Sequence, residues 1–299
     1  MSFPGVLLLK FNQYRKLGFC AAWYRDVVRP RILRTAPVTG LLDRRAEIHV
    51  MTSKNDWLNL MWALKSFYRA SGRKYALCIH DDGTLPAEAL AHLRAHFDPV
   101  RIIPRPEADA RMEKELAAFP SLLQFRRTNL LSPKVTDFVA YLQGDRMMLI
   151  DSDILFFAEP AELLRRMEDP AYRTNTFNTD LKNAYVVTPE AARAHCGVEL
   201  KLLINSGLGA VHGASLRYDW MEAFMGIPGM AGAHFWLIEQ QLFALCSSKY
   251  GVELLPQEYT VDTSKREVGD RPSRHYVGHI RSRMYSEGIR RLVRGGILR

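Results

Sequence analysis

Short apolar runs alternate with amphipathic stretches along the chain from Glu47 onward. The apolar runs are the length of buried strands, and the stretches between them place apolar residues three and four positions apart, as on one face of a helix. The pattern predicts strands over residues 47–53, 75–83, 100–104 and 147–157.

Capping and turn residues predict where the intervening helices begin and end. Asp56 is an N-cap for a helix over 57–70, which Gly72 stops. Thr84 and Pro86 open a second helix carrying Leu90, Leu93 and Phe97, and Ser132 with Pro133 opens a third that Gly144 closes. Repeated strand–helix–strand units of this length predict an α/β, Rossmann-like fold with a mostly parallel sheet and helices on both faces.

The fourth apolar run contains two carboxylates. "MMLIDSDILFFAEP" (147–160) passes directly from apolar residues into Asp151-Ser152-Asp153. Ligands of open α/β sheets bind outside the carboxyl ends of the strands, and residues two apart share a face of an extended segment. Two close anions need a compensating cation, and oxygen ligands suit Mg²⁺ or Mn²⁺. The pattern therefore predicts a metal site, with a pair of turn or capping aspartates as the alternative.

Composition adds that the protein is an ordinary globular one. Of 299 residues, 47% are hydrophobic, and no apolar run reaches the roughly 20 residues of a membrane-spanning helix. The "VLLL" before Lys10 is too short for a secretory signal. The four cysteines form no CxxC pair, which is typical of reduced thiols. We expect a soluble, cytoplasmic protein.

Positive charge is concentrated at the two ends of the chain. Residues 1–45 carry a net charge of +7, residues 260–299 carry +6, and the middle carries −4. Basic ends around a mildly acidic body favour anionic partners such as phosphorylated substrates or a membrane surface. The chain carries no recognised nucleic-acid-binding module, so we expect no nucleic-acid partner. Simple solvation of the charges is the alternative.

Four further segments resemble those of a known family when taken with "DSD" at 151–153. They are Lys134 one helix earlier, "LLINSGLGAVH" at 202–212, "IEQQLF" at 238–243 and "HYVGHIR" at 275–281. Their order resembles the GT-A fold of nucleotide-sugar glycosyltransferases, and more narrowly glycosyltransferase family 8, which includes glycogenin and bacterial lipooligosaccharide galactosyltransferases. The resemblance covers about residues 47–285. It implies a basic extension (1–45), a GT-A domain (46–285) and a basic tail (286–299).

The resemblance implies a role for each matching residue. Asp151, Asp153 and His275 would hold Mn²⁺ or Mg²⁺, with His279 as a competing ligand. Lys134, Arg281, Ser152 and Gly278 would serve the sugar nucleotide and its diphosphate. Asn205, Gly207, Glu239 and Gln240 would meet the donor sugar, with Gln240 nearest the reacting carbon. The end of the first strand, Thr52, Ser53 and Lys54, would meet the base and ribose.

The implied activity is transfer of a hexose from a nucleoside-diphosphate sugar, with UDP as the expected nucleotide, to an acceptor hydroxyl with retention of configuration. Inversion, with Glu239 as the general base, is the alternative. A surface glycan or glycolipid is the expected acceptor. Three departures from the family pattern, at Gln241, Arg281 and Ser282-Arg283, keep open a degenerate GT-A domain that binds without turnover. A phosphohydrolase of the haloacid dehalogenase type also uses D-x-D, but on its first strand and with Thr where this chain has Leu155.

Several other residues carry expectations of their own. Residues 285–299 combine Ile289, Leu292 and Val293 with arginines, which suggests a helix lying on an anionic membrane. Trp220, Phe235 and Trp236 form either an acceptor platform or core. His92 and His96 are expected to be exposed, and Asp81-Asp82-Gly83 is expected to form a turn.

Overall fold

A seven-stranded sheet forms the centre of the protein. The structure, a computed structural model, describes residues 14, 17–230, 234–264 and 266–299. The strands along the chain are β1 (Val38–Thr39), β2 (Asp43–Thr52), β3 (Tyr75–Asp81), β4 (Phe97–Asp98), β5 (Val100–Ile103), β6 (Arg146–Ile150), β7 (Ile154–Phe156), β8 (Asn175–Thr179), β9 (Ile204–His212), β10 (Val252–Leu254) and β11 (Ser273–His275).

The α-helices cover both faces of that sheet. They are α1 (Phe19–Trp23), α2 (Trp57–Ser71), α3 (Ala87–His96), α4 (Arg105–Glu115), α5 (Pro120–Thr128), α6 (Ser132–Val135), α7 (Asp137–Tyr141), α8 (Ala161–Glu168), α9 (Pro189–Cys196), α10 (Tyr218–Met225), α11 (Phe235–Tyr250) and α12 (Arg290–Arg294). Helix α1 continues through a π-helical turn (Tyr24–Val28) into a 3₁₀-helix (Arg29–Arg34), and α12 follows a π-helical segment (Met284–Ile289).

The sheet is mostly parallel, as the sequence predicts. Its order is β10-β8-β9-β6-β2-β3-β5, and β9 runs antiparallel to both of its neighbours while the other adjacent pairs are parallel. The carboxyl ends of β2, β6 and β8 therefore meet at one edge, beside the beginning of β9. The short pair β7–β11 lies outside this sheet and is antiparallel.

Alternating residues of the central strands supply two separate cores. Met148 and Ile150 of β6 pack with α2 and α8 on one face, whereas Met147 and Leu149 pack with α10 and α11 on the other. Because both faces are covered, the strand is apolar at every position. This explains why the sequence shows a continuous run there rather than an alternating one.

The first predicted helix is confirmed, and the first predicted strand is present but begins at Asp43 instead of Glu47. Helix α2 begins at Trp57 and ends before Gly72, whose φ of 65° is the left-handed conformation of a helix C-cap. The Asp56 carboxylate makes no capping hydrogen bond to α2, although Asp56 occupies the N-cap position. It binds Arg281 instead, across the candidate site.

Three predicted elements are wrong in detail. The strand predicted over 147–157 is broken at Asp151–Asp153 into β6 and β7. The helix predicted from Ser132 to Gly144 is divided at Thr136 into α6 and α7. Phe97 begins β4 instead of continuing α3, because the peptide leaves helical geometry there, with φ −133° and ψ 117°.

Two histidines of α3 are less exposed than their sequence context suggests. His96 is buried, so the prediction of exposure is wrong for it. His92 is half buried, and its ring stacks on Trp57 with 5.8 Å between centroids. The Asp81–Gly83 turn is as expected, since Asp81 Oδ1 accepts hydrogen bonds from the backbone of Gly83 and Leu85.

The described parts of both basic ends of the chain contribute to one core. Val28 and Ile32 from the N-terminal segment are buried in the same cluster as Ile289 and Leu292 from the C-terminal one. The interfacial helix predicted over 285–299 is therefore wrong, because its apolar side chains face the protein. The expectation for the "VLLL" segment lies outside the described residues. Within the described ranges, each helix is too short or too polar to cross a bilayer.

Candidate metal and nucleotide-sugar site

The Asp151–Asp153 turn is tied by backbone hydrogen bonds to two distant segments. The Asp151 N–H donates to the Gly207 carbonyl of β9 at 2.8 Å. The Asp153 carbonyl accepts from the Tyr276 N–H at 2.9 Å, directly after β11. Strand β7 also pairs with β11, with Ile154 opposite His275. The turn, the glycine and the histidine are thus positioned by main-chain pairing.

Two carboxylates and an imidazole converge at this turn. His275 Nε2 lies 3.2 Å from Asp153 Oδ1 and 3.8 Å from Asp151 Oδ2. Burial disfavours charge on both Asp153 and His275, but each stabilises the other's charged form. The pKa of Asp153 is lowered and the pKa of His275 is raised as a result.

This cluster fits a divalent cation. Ligand atoms of Asp151, Asp153 and His275 all lie within 4.8 Å of one another. The buried His275 Nδ1 has no hydrogen-bond partner in the described structure. Two carboxylate oxygens and one imidazole nitrogen form a donor set that suits Mn²⁺ and also admits Mg²⁺.

Gly207 packs against the candidate ligand. A Cβ added at this position would overlap Cε1 of His275 and lie 2.9 Å from its Nδ1. A side chain of any size would therefore push the imidazole away from the two aspartates.

We expect Gly207→Ala to lower the free energy of unfolding by about 1–3 kcal/mol, the usual cost of overpacking. Urea denaturation measures this. Gly295→Ala is the matched control, because its added Cβ would approach the Leu292 carbonyl only to 3.4 Å. Most of the Gly207→Ala cost should disappear in a His275→Ala background, which removes the imidazole. An equal cost in both backgrounds would show that the clash is elsewhere.

A buried lysine connects the turn to helix α11. Lys134 Nζ lies 3.0 Å from Asp151 Oδ1 and 3.0 Å from Glu239 Oε1. Ser206 Oγ donates to Glu239 Oε2 at 3.1 Å. Burial lowers the pKa of Lys134, but the two carboxylates outweigh it and raise the pKa overall. Burial and Asp151 raise the pKa of Glu239, against the opposing effect of Lys134.

A second cation stands on the opposite side of the cluster. Arg281 Nη2 donates to Asp56 Oδ1 at 2.5 Å, and Nη1 lies 3.5 Å from Asp153 Oδ2. Its side chain is 44% exposed, so part of the guanidinium is open to a ligand. Lys134 and Arg281 thus flank the acidic cluster with positive charge.

These groups line a cleft of about 850 Å³ at the carboxyl edge of the sheet. Thirteen of the residues predicted to form the site line it: Thr52, Ser53, Lys134, Asp151, Ser152, Asp153, Asn205, Gly207, Glu239, Gln240, His275, Gly278 and Arg281. Lys54 does not. The chain turns away after Ser53, and the Lys54 N–H donates to Thr84 Oγ1 while its side chain is exposed.

Two amides and a carboxylate form another wall of the cleft. Asn205 Nδ2 donates to Asp180 Oδ2 at 3.1 Å, and Asn205 Oδ1 accepts from the Gly207 N–H. Gln240 is buried, and its Nε2 makes no hydrogen bond within the described structure. A buried amide without a partner costs free energy, so a ligand oxygen there would be favourable.

His279, the competing metal ligand, and Gln241, a departure from the family pattern, have different environments from the candidate ligands. His279 lines the cleft but is exposed, with Nε2 3.1 Å from the Thr263 carbonyl, and it is not part of the acidic cluster. Gln241 does not line the cleft. Its Oε1 accepts hydrogen bonds from the backbone N–H groups of Val186 and Val187. Gln241, which departs from the family pattern, therefore supports the backbone of a neighbouring segment.

The aromatic residues that the sequence offers as an acceptor platform do not all line the cleft. Trp236 is 42% exposed and lines the cleft. Trp220 does not line it; Lys249 Nζ lies 4.8 Å from the centre of its ring. The side chain of Phe235 lies outside the described structure.

Sequence reasoning missed three polar residues of the site. Asp56 binds Arg281, Asp180 binds Asn205, and Ser206 binds Glu239. Asp180 directly follows the carboxyl end of β8, so the strand-end rule would have found it had "NTFNT" been recognised as a strand.

Solved structures of three glycosyltransferases have a similar fold. Mouse xyloside xylosyltransferase 1 is 14% identical, over 81% of this chain and 98% of its own, with a TM-score of 0.51. The galactosyltransferase LgtC with donor and acceptor sugar analogues is 15% identical, over 78% and 87%, with a TM-score of 0.53. Core-mannan synthase A from Aspergillus fumigatus, in a Mn/GDP form, is 13% identical, over 83% and 86%, with a TM-score of 0.50.

The likeness to these structures is one of fold. No known sequence family matches the chain, and no curated protein sequence matches it. The α/β architecture, the order of its strands and the three structures together confirm the GT-A fold of glycosyltransferases that the sequence predicts.

Proposed function

We propose that this chain, with its GT-A fold, is a metal-dependent hexosyltransferase that uses a nucleoside-diphosphate sugar, with UDP as the nucleotide. The observation that carries the proposal is the convergence of Asp151, Asp153 and His275 in a cleft at the carboxyl edge of the sheet. The cleft volume of about 850 Å³ lies within the usual range for small-molecule sites.

The donor's diphosphate would lie beside the acidic cluster. Asp151, Asp153 and His275 would hold Mn²⁺ or Mg²⁺, and the bound cation supplies positive charge that neutralises the diphosphate leaving group. Arg281 contributes a guanidinium whose planar donors match phosphate oxygens. Thr52 and Ser53, where β2 ends, would meet the base and ribose, and this is supported by Thr52 Oγ1, which is buried without a partner in the described structure.

The donor sugar would lie between β9 and α11. The Asn205–Asp180 pair offers hydrogen bonds to sugar hydroxyls. Gln240, whose Nε2 makes no hydrogen bond within the described structure, lines the same cleft. Gly207 permits close approach of the backbone. These groups suit a polyhydroxylated ligand, because each offers a directed donor or acceptor in a largely desolvated wall.

The side chains favour a retaining reaction. Inversion needs a general base beside the acceptor. Glu239 is a poor base because it is 2% exposed and its oxygens are engaged by Lys134 and Ser206. Gln240 carries no carboxylate for a covalent intermediate. In the proposed step the bond from anomeric carbon to phosphate oxygen breaks, the acceptor oxygen bonds that carbon on the same face, and its proton passes to the leaving phosphate.

The rim of the cleft supports a glycan or glycolipid acceptor. Leu130, Leu181 and Trp236 line the cleft and are 67%, 51% and 42% exposed. Aromatic and aliphatic side chains at the rim suit the apolar face of a sugar ring or an attached lipid chain. The cytoplasmic location stays a prediction from the sequence.

A panel of UDP-hexoses tests this function directly. With Mn²⁺, we expect one donor to be consumed and the reaction to stop when EDTA is added. The anomeric proton coupling in the NMR spectrum should show the same configuration in donor and product. Binding of UDP without consumption of any nucleotide sugar, across a panel of glycan and glycolipid acceptors, would favour the degenerate domain instead.

A further inference from the structure

The N-terminal helical segment carries large apolar side chains on its outer surface. Phe19, Trp23 and Val27 are 61%, 56% and 42% exposed, at intervals of four residues. Intervals of four place side chains on one side of a helix. We call these three residues the apolar stripe. Contiguous exposed apolar groups of this size mark surfaces that bind a partner or a membrane.

The orientation of this segment is fixed by its opposite side. Ala21, Ala22, Val28 and Ile32 are buried, and Trp62 Nε1 donates to the Arg29 carbonyl at 2.9 Å. The segment therefore cannot rotate to bury the apolar stripe without losing this core. The stripe is a feature of the folded protein.

Exposed arginines lie on the segment that carries the apolar stripe and on the C-terminal segment that packs against it. Along the same segment, Arg31 and Arg34 are exposed, and the carboxylate of Asp26 is paired with Arg25 at 2.7 Å. The C-terminal segment packs against this one, since the Arg29 guanidinium lies 5.5 Å from the ring centre of Tyr285. It adds two exposed arginines, Arg294 and Arg299, whereas the guanidinium of Arg291 is bound to the Gly269 carbonyl at 2.7 Å. The described parts of the two basic ends thus pack together.

We propose that the apolar stripe and the exposed arginines of these two segments dock the protein onto an anionic phospholipid bilayer. Phe and Trp side chains enter the boundary between headgroups and acyl chains, and arginines bind the lipid phosphates. The charge of this surface complements an anionic membrane. In this proposal the N-terminal segment makes the membrane contact. Ile289 and Leu292 of the C-terminal segment, from which the sequence predicted a membrane contact, are buried.

Vesicle sedimentation tests this inference without any sugar substrate. The protein is mixed with phosphatidylcholine vesicles containing about one third phosphatidylglycerol, or none. Wild type should sediment with the anionic vesicles only, and added salt should release it. Phe19→Ser with Trp23→Ser should weaken sedimentation at least about tenfold, because each side chain loses its burial in the lipid. Leu202→Ser, which alters an apolar residue 39% exposed elsewhere, is the control.

A second measurement does not depend on those variants folding. Cys20 is exposed beside the apolar stripe, so a polarity-sensitive fluorophore attached there in a Cys196→Ser background reports the environment directly. We expect a blue shift with anionic vesicles. An unchanged spectrum with no sedimentation would overturn the inference. Formation of dimers that the double variant abolishes would also overturn it, because the apolar stripe would then bind a second copy of the protein. Either result leaves the proposed function intact, because UDP binding is measured without lipid.

Discussion

Asp153→Asn is expected to lower the rate of sugar transfer about a thousandfold, roughly 4 kcal/mol of transition-state stabilisation. Asp153 is 6% exposed and within 3.2 Å of His275 and 3.5 Å of Arg281. Replacing its charge with an amide removes one candidate ligand and keeps the volume. Initial rates at saturating Mn²⁺ with the donor found in the panel measure the effect.

The control for this variant is Asp145→Asn, which changes an exposed carboxylate just before the opposite end of β6. It should retain wild-type activity. Near-UV circular dichroism should show that both variants keep the native fold. Full activity in folded Asp153→Asn would remove the carboxylate from the reaction and with it the metal assignment.

Lys134→Met is expected to lower the free energy of unfolding by about 3–5 kcal/mol, the usual cost of removing one partner of a buried ion pair. The change leaves Glu239, which is 2% exposed, without its 3.0 Å ammonium partner. Asp151 loses the same partner. Urea denaturation of the unliganded protein measures the loss.

Two further variants show whether the charge is responsible. Lys134→Met with Glu239→Gln should recover much of the stability, because the amide removes the uncompensated buried charge. Lys65→Met is the matched control. Lys65 is also buried, but its ammonium donates to the Ala36 carbonyl, and burial lowers its pKa to about 8. A similar loss for both lysine variants would attribute the effect to packing and contradict the ion-pair account.

The fold could be predicted because strand-length segments rich in apolar residues alternate with segments of helical spacing. β3 and β5 are mostly apolar, whereas β2 also carries the buried polar residues Glu47 and His49. The helix between β2 and β3 ends before Gly72. Apolar composition also caused an error at β6, since apolar residues on both sides of Asp151–Asp153 concealed the break in the strand. The sequence does not indicate the break in the helix at Thr136, because apolar residues continue at helical spacing across residues 135–142.

Individual site residues could be identified from motifs, but their pairing could not. Asp56 and Arg281 are 225 residues apart in sequence, and Asn205 and Asp180 meet only because β8 and β9 are adjacent. Lys134 contacts Glu239 through the packing of α6 against α11. Such contacts follow from topology, which local spacing does not contain. Likewise, the burial of Ile289 and Leu292 depends on a core to which residues of α2 contribute.

Calorimetric titration of UDP into the protein, with and without Mn²⁺, tests whether the acidic cluster holds a metal that binds the nucleotide. We expect binding of one UDP per chain that requires Mn²⁺ and is lost in Asp153→Asn. Metal-dependent binding would establish the Asp151–Asp153–His275 cluster as a diphosphate–metal site. UDP binding that is equal with and without Mn²⁺, or unchanged in Asp153→Asn, would rule out this assignment, because the carboxylates would then be turn residues with no part in holding the nucleotide.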